Sequence, residues 1–341
     1  MGYEAVRFAA SCLVSDYTDV AKPKGCIDTV IPAGHLLTLK KVDCAMTHCP
    51  DWATALCNGF SQVFLQRHPL CGVLCLLAIV VSAPALLGGA LLGAVAGLLT
   101  AQRRGYAKTE RQAGLYSYNG VLLGLLLSHQ LPWSAMLPLL IIASAGLSSM
   151  LVHQWLKRAT HPHSLMIYTA PFVAIGWVLL TLQGAPEYSV EPYALNAWTL
   201  LQALFKGISQ VMLLNHPVAG LLIVIGLCLS HWRAALWALT GSLAGLLWSL
   251  YQQDTGAALN GLAGYNPALA ALALSQQGSR ICKPLLGIVV TLALAPGFSA
   301  LGLPLLTAPF VLSCWVIGGG VRLLSRKSAD SEAQSRLRIE R

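Results

Sequence analysis

GFSQVFLQRHPLCG at residues 59–72 returns as GISQVMLLNHPVAG at residues 207–220, identical at eight of fourteen positions and displaced by 148 residues. GLYSYNGVLLGLLLS from Gly114 returns as GLAGYNPALAALALS from Gly261, with eight of fifteen positions identical at an offset of 147. TAPF stands at residues 169–172 and again at 307–310, and eight residues after each threonine comes a tryptophan, Trp177 and Trp315. One leucine-rich match can arise from composition, but three blocks in the same order on both sides record a duplication.

The two copies are built for lipid. Of the 341 residues 56% are hydrophobic and 10% charged, and the mean hydropathy is +0.64; soluble domains carry roughly 25% charged residues. Apolar runs fill nearly everything from Trp52 to Leu323, and runs of about 17 to 25 residues read as membrane helices. After a short segment at 52–66, spans are expected at about 70–82, 85–101, 113–128, 133–152 and 164–183; after a second short segment at 198–214 they follow at about 218–230, 234–251, 258–275, 284–297 and 301–322. If each short segment dips in and returns, each copy has five spans, and an odd number inverts the second copy relative to the first. The expected fold is thus an all-α integral membrane protein of two inverted homologous repeats with ten transmembrane helices.

Charge placement tests that count independently. Arg103, Arg104, Lys108 and Arg111 follow the second span, Lys157 and Arg158 the fourth, Arg233 the sixth, Arg280 and Lys283 the eighth, and Arg322, Arg326 and Lys327 the tenth. The loops after odd-numbered spans hold no Lys or Arg, and Glu187, Glu191 and Asp254 lie there. The positive-inside rule then puts both termini in the cytoplasm, with Lys206 as the one exception. The formal net charge of +9 is an orientation signal and not a nucleic-acid footprint. The ten cysteines contain no CxxC pair and read as small hydrophobes, so no metal or other cofactor is expected. Residues 1–45 are polar and add no span; they are expected to be a disordered extension, or one that precedes a native start at Met46. The expected units are 46–190 and 191–323 as the membrane repeats and 324–341 as a charged cytoplasmic tail.

Polar residues repeated inside lipid must find a partner or face water. Gln62 and Gln210 occupy matching GxSQV contexts, where an interhelical hydrogen bond and the wall of a polar path are both open roles. If the short segments stay helical to their HP pairs, Pro69 and Pro217 leave the carbonyls of Leu65 and Leu213 without N–H partners; a simple helix stop is the alternative. His68 and His216 suit structural roles. Thr169 and Thr307 can bond a nearby carbonyl, or at the centre of a pore offer a solute both a donor and an acceptor. Tyr118 and Tyr265 are core, interface anchors or flat walls of a slot. The assigned spans contain no Asp or Glu, which disfavours coupling to protons or sodium. There is no HExxH, P-loop or GxSxG, so no enzyme is indicated.

LPLLTAPF at residues 303–310 fits the LPxxTxPF signature of urea transporters, and LMIYTAPF from Leu165 fits it apart from Met166 in place of proline. The two GxSQV…HPxxG segments and the GLYSYN and GLAGYN blocks also resemble that family's repeats, over roughly residues 52–323. The resemblance implies a facilitative urea channel in the bacterial inner membrane: two half-spanning pore helices beside the ten spans, one pore per subunit, and a homotrimer in the lipid bilayer. It implies that Thr169 and Thr307 guard the constriction, that Gln62 and Gln210 take the pore glutamine positions, and that Tyr118 and Tyr265 are slot aromatics. Val63, Val211, Leu122 and Leu269 become their apolar neighbours. A flat neutral solute would slide along such walls while donating in-plane to a row of oxygens, and ions would lose hydration without replacement. His68 and His216 stand where the family commonly has asparagine, and Leu65 and Leu213 where aromatics are expected. These departures imply wider slots. They leave open a channel for other small neutral amides or ammonia, with an ion-coupled secondary transporter as the remaining alternative.

Overall fold

The computed structural model of the chain describes residues 51–159, 165–181, 195–277 and 281–322. The N-terminal extension, the C-terminal tail and the loop carrying Glu187 and Glu191 lie outside the described residues. Among the described residues all regular structure is helical.

The repeated fourteen-residue block encodes a bend. Helix α1 (Asp51–Ser61) tightens into a 3₁₀ turn at Gln62–Phe64 and stops at Leu65, whose φ of 57° is left-handed. The chain then extends to His68, and α2 (Pro69–Ser82) begins with the proline at its first position, where the missing N–H costs nothing. His68 Nδ1 accepts from the Cys71 amide at 3.4 Å and so caps the new helix. The two rods meet at 76°. The reading in which Pro69 strips the Leu65 carbonyl inside a continuing helix is corrected here: the helix has already ended, and that carbonyl accepts from Gln276 Nε2 at 3.4 Å. A left-handed leucine costs about 1–2 kcal/mol, and the Ser61 hydroxyl offsets part of that by donating to the Gln66 carbonyl at 2.9 Å. The motif's last glycine is steric. A Cβ on Gly72 would fall on the Cys57 carbonyl, because α1 and α2 touch backbone to backbone.

From there the chain runs through a 3₁₀ turn (Pro84–Leu86) into α3 (Leu87–Arg103), the short α4 (Lys108–Gln112), α5 (Tyr118–Gln130), α6 (Met136–Arg158) and α7 (Ala170–Thr181). The second copy follows in the same order. Helix α8 (Ala197–Ser209), a 3₁₀ turn at Gln210–Met212, left-handed Leu213 (φ 59°) and His216 accepting from the Val218 amide repeat the bend. A Cβ on Gly220 would strike the Phe205 carbonyl as its counterpart strikes Cys57. Helix α9 (Pro217–Tyr251) is interrupted at His231 (φ −156°, ψ 106°), so its two parts correspond to α2 and α3. Then come α10 (Thr255–Leu259), α11 (Tyr265–Ser275), α12 (Cys282–Ala300) and α13 (Ala308–Arg322).

The copies meet where α2 packs on the first part of α9, and the Ser230 hydroxyl donates to Gln66 Oε1 at 2.8 Å across that seam. One core cluster runs through both copies, from Phe60 and Leu122 to Leu269 and Phe310. Outward faces are apolar too: Leu70, Val73, Leu77 and Val80 on α2, and Leu236, Leu243 and Leu247 on α9, are exposed at helical spacing. Among the described residues four helices are long and apolar enough to cross a membrane: Pro84–Arg103, Met136–Arg158, Pro217–Tyr251 and Cys282–Ala300. The α1–α2 pair qualifies as a fifth if read as one broken segment, and α7 and α13 are shorter apolar helices. The protein is a multi-pass, all-α membrane protein. At its rim, Lys108 pairs with Asp51 and holds that carboxyl below the usual carboxylate range.

Candidate solute site

Thr169 and Thr307 are the last residues before α7 and α13, and their carbonyls accept the helix amides of Val173 and Val311 at 3.0 and 3.1 Å. Their hydroxyl oxygens lie 2.6 Å apart, with the two residues 3% and 2% exposed. The structure thus joins two threonines that lie 138 residues apart in sequence. Neither hydroxyl is spent on a carbonyl of its own helix.

Each threonine is held from behind. The residue before it is left-handed in both copies, Tyr168 at φ 45° and Leu306 at φ 42°. Asn119 Oδ1 accepts from the Phe172 amide at 3.2 Å, and Asn266 Oδ1 from that of Phe310 at 3.3 Å. In the second copy the Asn266 Nδ2 also donates to the Leu306 carbonyl at 3.0 Å. In the first copy the equivalent carbonyl, that of Tyr168, accepts from the Tyr118 hydroxyl, and Asn119 Nδ2 is buried with no partner. Further back, the Trp177 indole donates to the Pro304 carbonyl and that of Trp315 to the Met166 carbonyl, both at 2.8 Å.

The electrostatics follow from the backbone. Two helix N-termini point at the threonine pair, and each carries a partial positive charge. Among the described residues Lys283 is the one buried charged side chain, and no carboxylate is buried. The site therefore offers neutral donors and acceptors in a field unfavourable to cations.

Most of the other candidate residues belong to the core that the two copies share. Val63, Tyr118, Leu122, Val211 and Leu269 are buried members of the shared core, and Leu65, Leu213 and Tyr265 are partly buried against it. Gln62 is buried with its Oε1 unpartnered, whereas Gln210 donates through Nε2 to the Asn260 carbonyl at 3.0 Å. The two glutamines are therefore equivalent in sequence and different in bonding. His68 and His216 cap helices, in keeping with structural roles.

Asn119 and Asn266 escaped the sequence reading as site residues, although the YN pair repeats in both copies. So did Tyr168, whose hydroxyl accepts from Gln277 Nε2 at 2.6 Å.

A family model described as "UT: Urea transporter" matches residues 53–319. The chain belongs to the urea transporter family. Among similar proteins, Urea transporter 1 of Ovis aries is 28% identical over 253 residues, covering 66% of this chain and 62% of the relative. Urea transporter 1 of Rattus norvegicus is 29% identical over 255 residues, with the same coverage. The chain therefore spans about three-fifths of the length of these relatives. The description that the family model carries is that of a transporter.

Proposed function

We propose that this urea transporter family member is a facilitative channel that passes urea down its gradient. The observation that carries the proposal is the buried contact between Thr169 and Thr307 at equivalent points of the two copies. A solute arriving there exchanges a hydroxyl–hydroxyl bond for bonds of its own, so the passage costs little net hydrogen bonding. Val63, Tyr118 and Leu122 form one slot, and Val211, Tyr265 and Leu269 the other. Urea's flat faces slide between these walls while its N–H groups seek acceptors. Gln62 Oε1 supplies one such acceptor, since a buried oxygen without a partner gains most from a visiting donor. Gln210, Leu65 and Leu213 border the same path. The converging helix N-termini, together with the lack of buried carboxylates among the described residues, disfavour cations and ion coupling.

The same proposal covers the architecture. Residues 46–190 and 191–323 are inverted repeats, each with five spans and one half-spanning helix, α1 or α8. Both termini are cytoplasmic, on the Lys and Arg distribution. The protein sits in the bacterial inner membrane as a homotrimer with one pore per subunit, and residues 324–341 form a cytoplasmic tail. Cysteine accessibility mapping at Gln130 and Gln277, equivalent positions at the C-terminal ends of α5 and α11, should label them from opposite sides of the membrane. Labelling from one side would end the inverted arrangement.

Stopped-flow flux in proteoliposomes, comparing urea, formamide, methylamine and ammonia with and without an imposed proton gradient, tests the function. Urea should pass fastest and independently of the gradient; gradient-dependent urea flux would eliminate the channel. Leu65 and Leu213, standing where aromatics are expected, favour as a second reading a broader channel for small amides or ammonia, which the same comparison would reveal by rank order.

A further inference from the structure

We propose that Trp177 and Trp315 are positioning residues: a reciprocal clasp between the copies that sets the spacing of Thr169 and Thr307, and with it the size selectivity for solute, given the channel function proposed above. The segments leading into the threonines, residues 165–169 and 303–307, are not helical. Their own backbone supplies little: Ala170 N donates to the Ile167 carbonyl and Ala308 N to that of Leu305. What fixes each segment comes from elsewhere.

Two kinds of tie act on them. The first lies within a copy: Asn119 and Tyr118 on the first segment, Asn266 on the second. Such ties fix a threonine relative to its own copy and leave the distance between copies undetermined. The second kind crosses. Trp177, eight residues beyond Thr169, donates to the carbonyl of Pro304, three residues before Thr307; Trp315, eight beyond Thr307, donates to the carbonyl of Met166, three before Thr169. Each copy's tryptophan thus grips the other copy's approach to its threonine at the same relative position. Gln277 also reaches across to the first of these segments, but it holds the Tyr168 side chain and not the backbone.

The indoles are themselves braced. Trp315 stacks on Trp155 with centroids 5.5 Å apart at 8°, and the Trp155 indole donates to the Leu165 carbonyl next to the gripped one. Trp177 lies against Phe298 with centroids 6.0 Å apart. Indole N–H groups are donors only, so the bonds cannot reverse. Losing either one leaves a carbonyl short of its donor and the segment free to shift.

Trp177→Phe and Trp315→Phe keep a ring and delete the donor. They are tested singly and together, beside Trp198→Phe, an exposed position outside the site. The readouts are the urea to N-methylurea flux ratio in proteoliposomes and the Thr169–Thr307 oxygen separation in an experimentally determined structure of each variant. Each single variant should lower the flux ratio about fivefold, the effect of one lost hydrogen bond, and widen the separation beyond bonding distance, with Trp198→Phe matching the parent. If the tryptophans merely filled space, both fluxes would fall in proportion and the ratio would hold, which would overturn the clasp, as would an unchanged separation. A widened separation with unchanged fluxes would uphold the clasp as geometry and sink the threonine pair as the constriction. Because each single variant is read alone, failure of the double to fold removes nothing from the test.

Discussion

Replacing Thr307 by valine removes one hydroxyl and keeps the side chain's shape. In the parent that hydroxyl lies 2.6 Å from the Thr169 hydroxyl, and both residues are nearly fully buried. The valine leaves Thr169 without its partner and gives a passing solute one hydroxyl in place of two. A net hydrogen bond of about 1 kcal/mol, lost at the barrier, corresponds to roughly fivefold slower passage. Light-scattering stopped flow on proteoliposomes with matched protein content measures this directly. Thr169→Val should do the same. Because the two oxygens touch, the double variant should fall short of the product of the singles by about 0.5 kcal/mol or more. Urea flux at the parent's rate, in a variant that extracts and elutes as the parent does, would refute the role of this hydroxyl. Strictly multiplicative effects would refute the contact.

Gln210→Trp should abolish urea flux while leaving the protein extractable; full activity would return Gln210 to its bond with the Asn260 carbonyl as a purely structural residue. Gly72→Ala drives a methyl group into the Cys57 carbonyl, so the yield of monodisperse protein after detergent extraction should collapse, and a normal yield would show that α1 and α2 can separate. His216→Asn keeps an acceptor for the cap and should leave the thermal midpoint in detergent nearly unchanged, whereas His216→Leu should lose about 1 kcal/mol. Equal midpoints for the two would remove the cap from the account.

The order of elements was legible because the chain is written twice. Each repeated block became the same local structure in both copies, and the break between the expected spans at 218–230 and 234–251 falls at His231 inside α9. The bend after α1 was legible as a stop but was assigned to the wrong residue. The clash of Pro69 with a carbonyl four residues back presumes a helix that continues, and left-handed Leu65 had already ended it. The threonine pair was legible through its motif alone. Its bracing was not, since a bond such as that from Trp177 to Pro304 joins residues 127 apart and leaves no periodic trace. Nor could equal sequence contexts reveal that Gln62 and Gln210 bond differently, because their surroundings come from distant segments.

The two carbonyls that precede the threonines, served by a phenol in one copy and an amide in the other, carry a consequence for how the fold tolerates change. In the first copy the counterpart of that amide, Asn119, holds the Phe172 amide through its Oδ1 while its Nδ2 is buried without a partner. Were Tyr118 to become phenylalanine, Asn119 Nδ2, the counterpart of the donor used in the second copy, would be the unspent group next to it in sequence. The second copy keeps no such spare group, because Asn266 spends both its amide atoms, on the Leu306 carbonyl and the Phe310 amide.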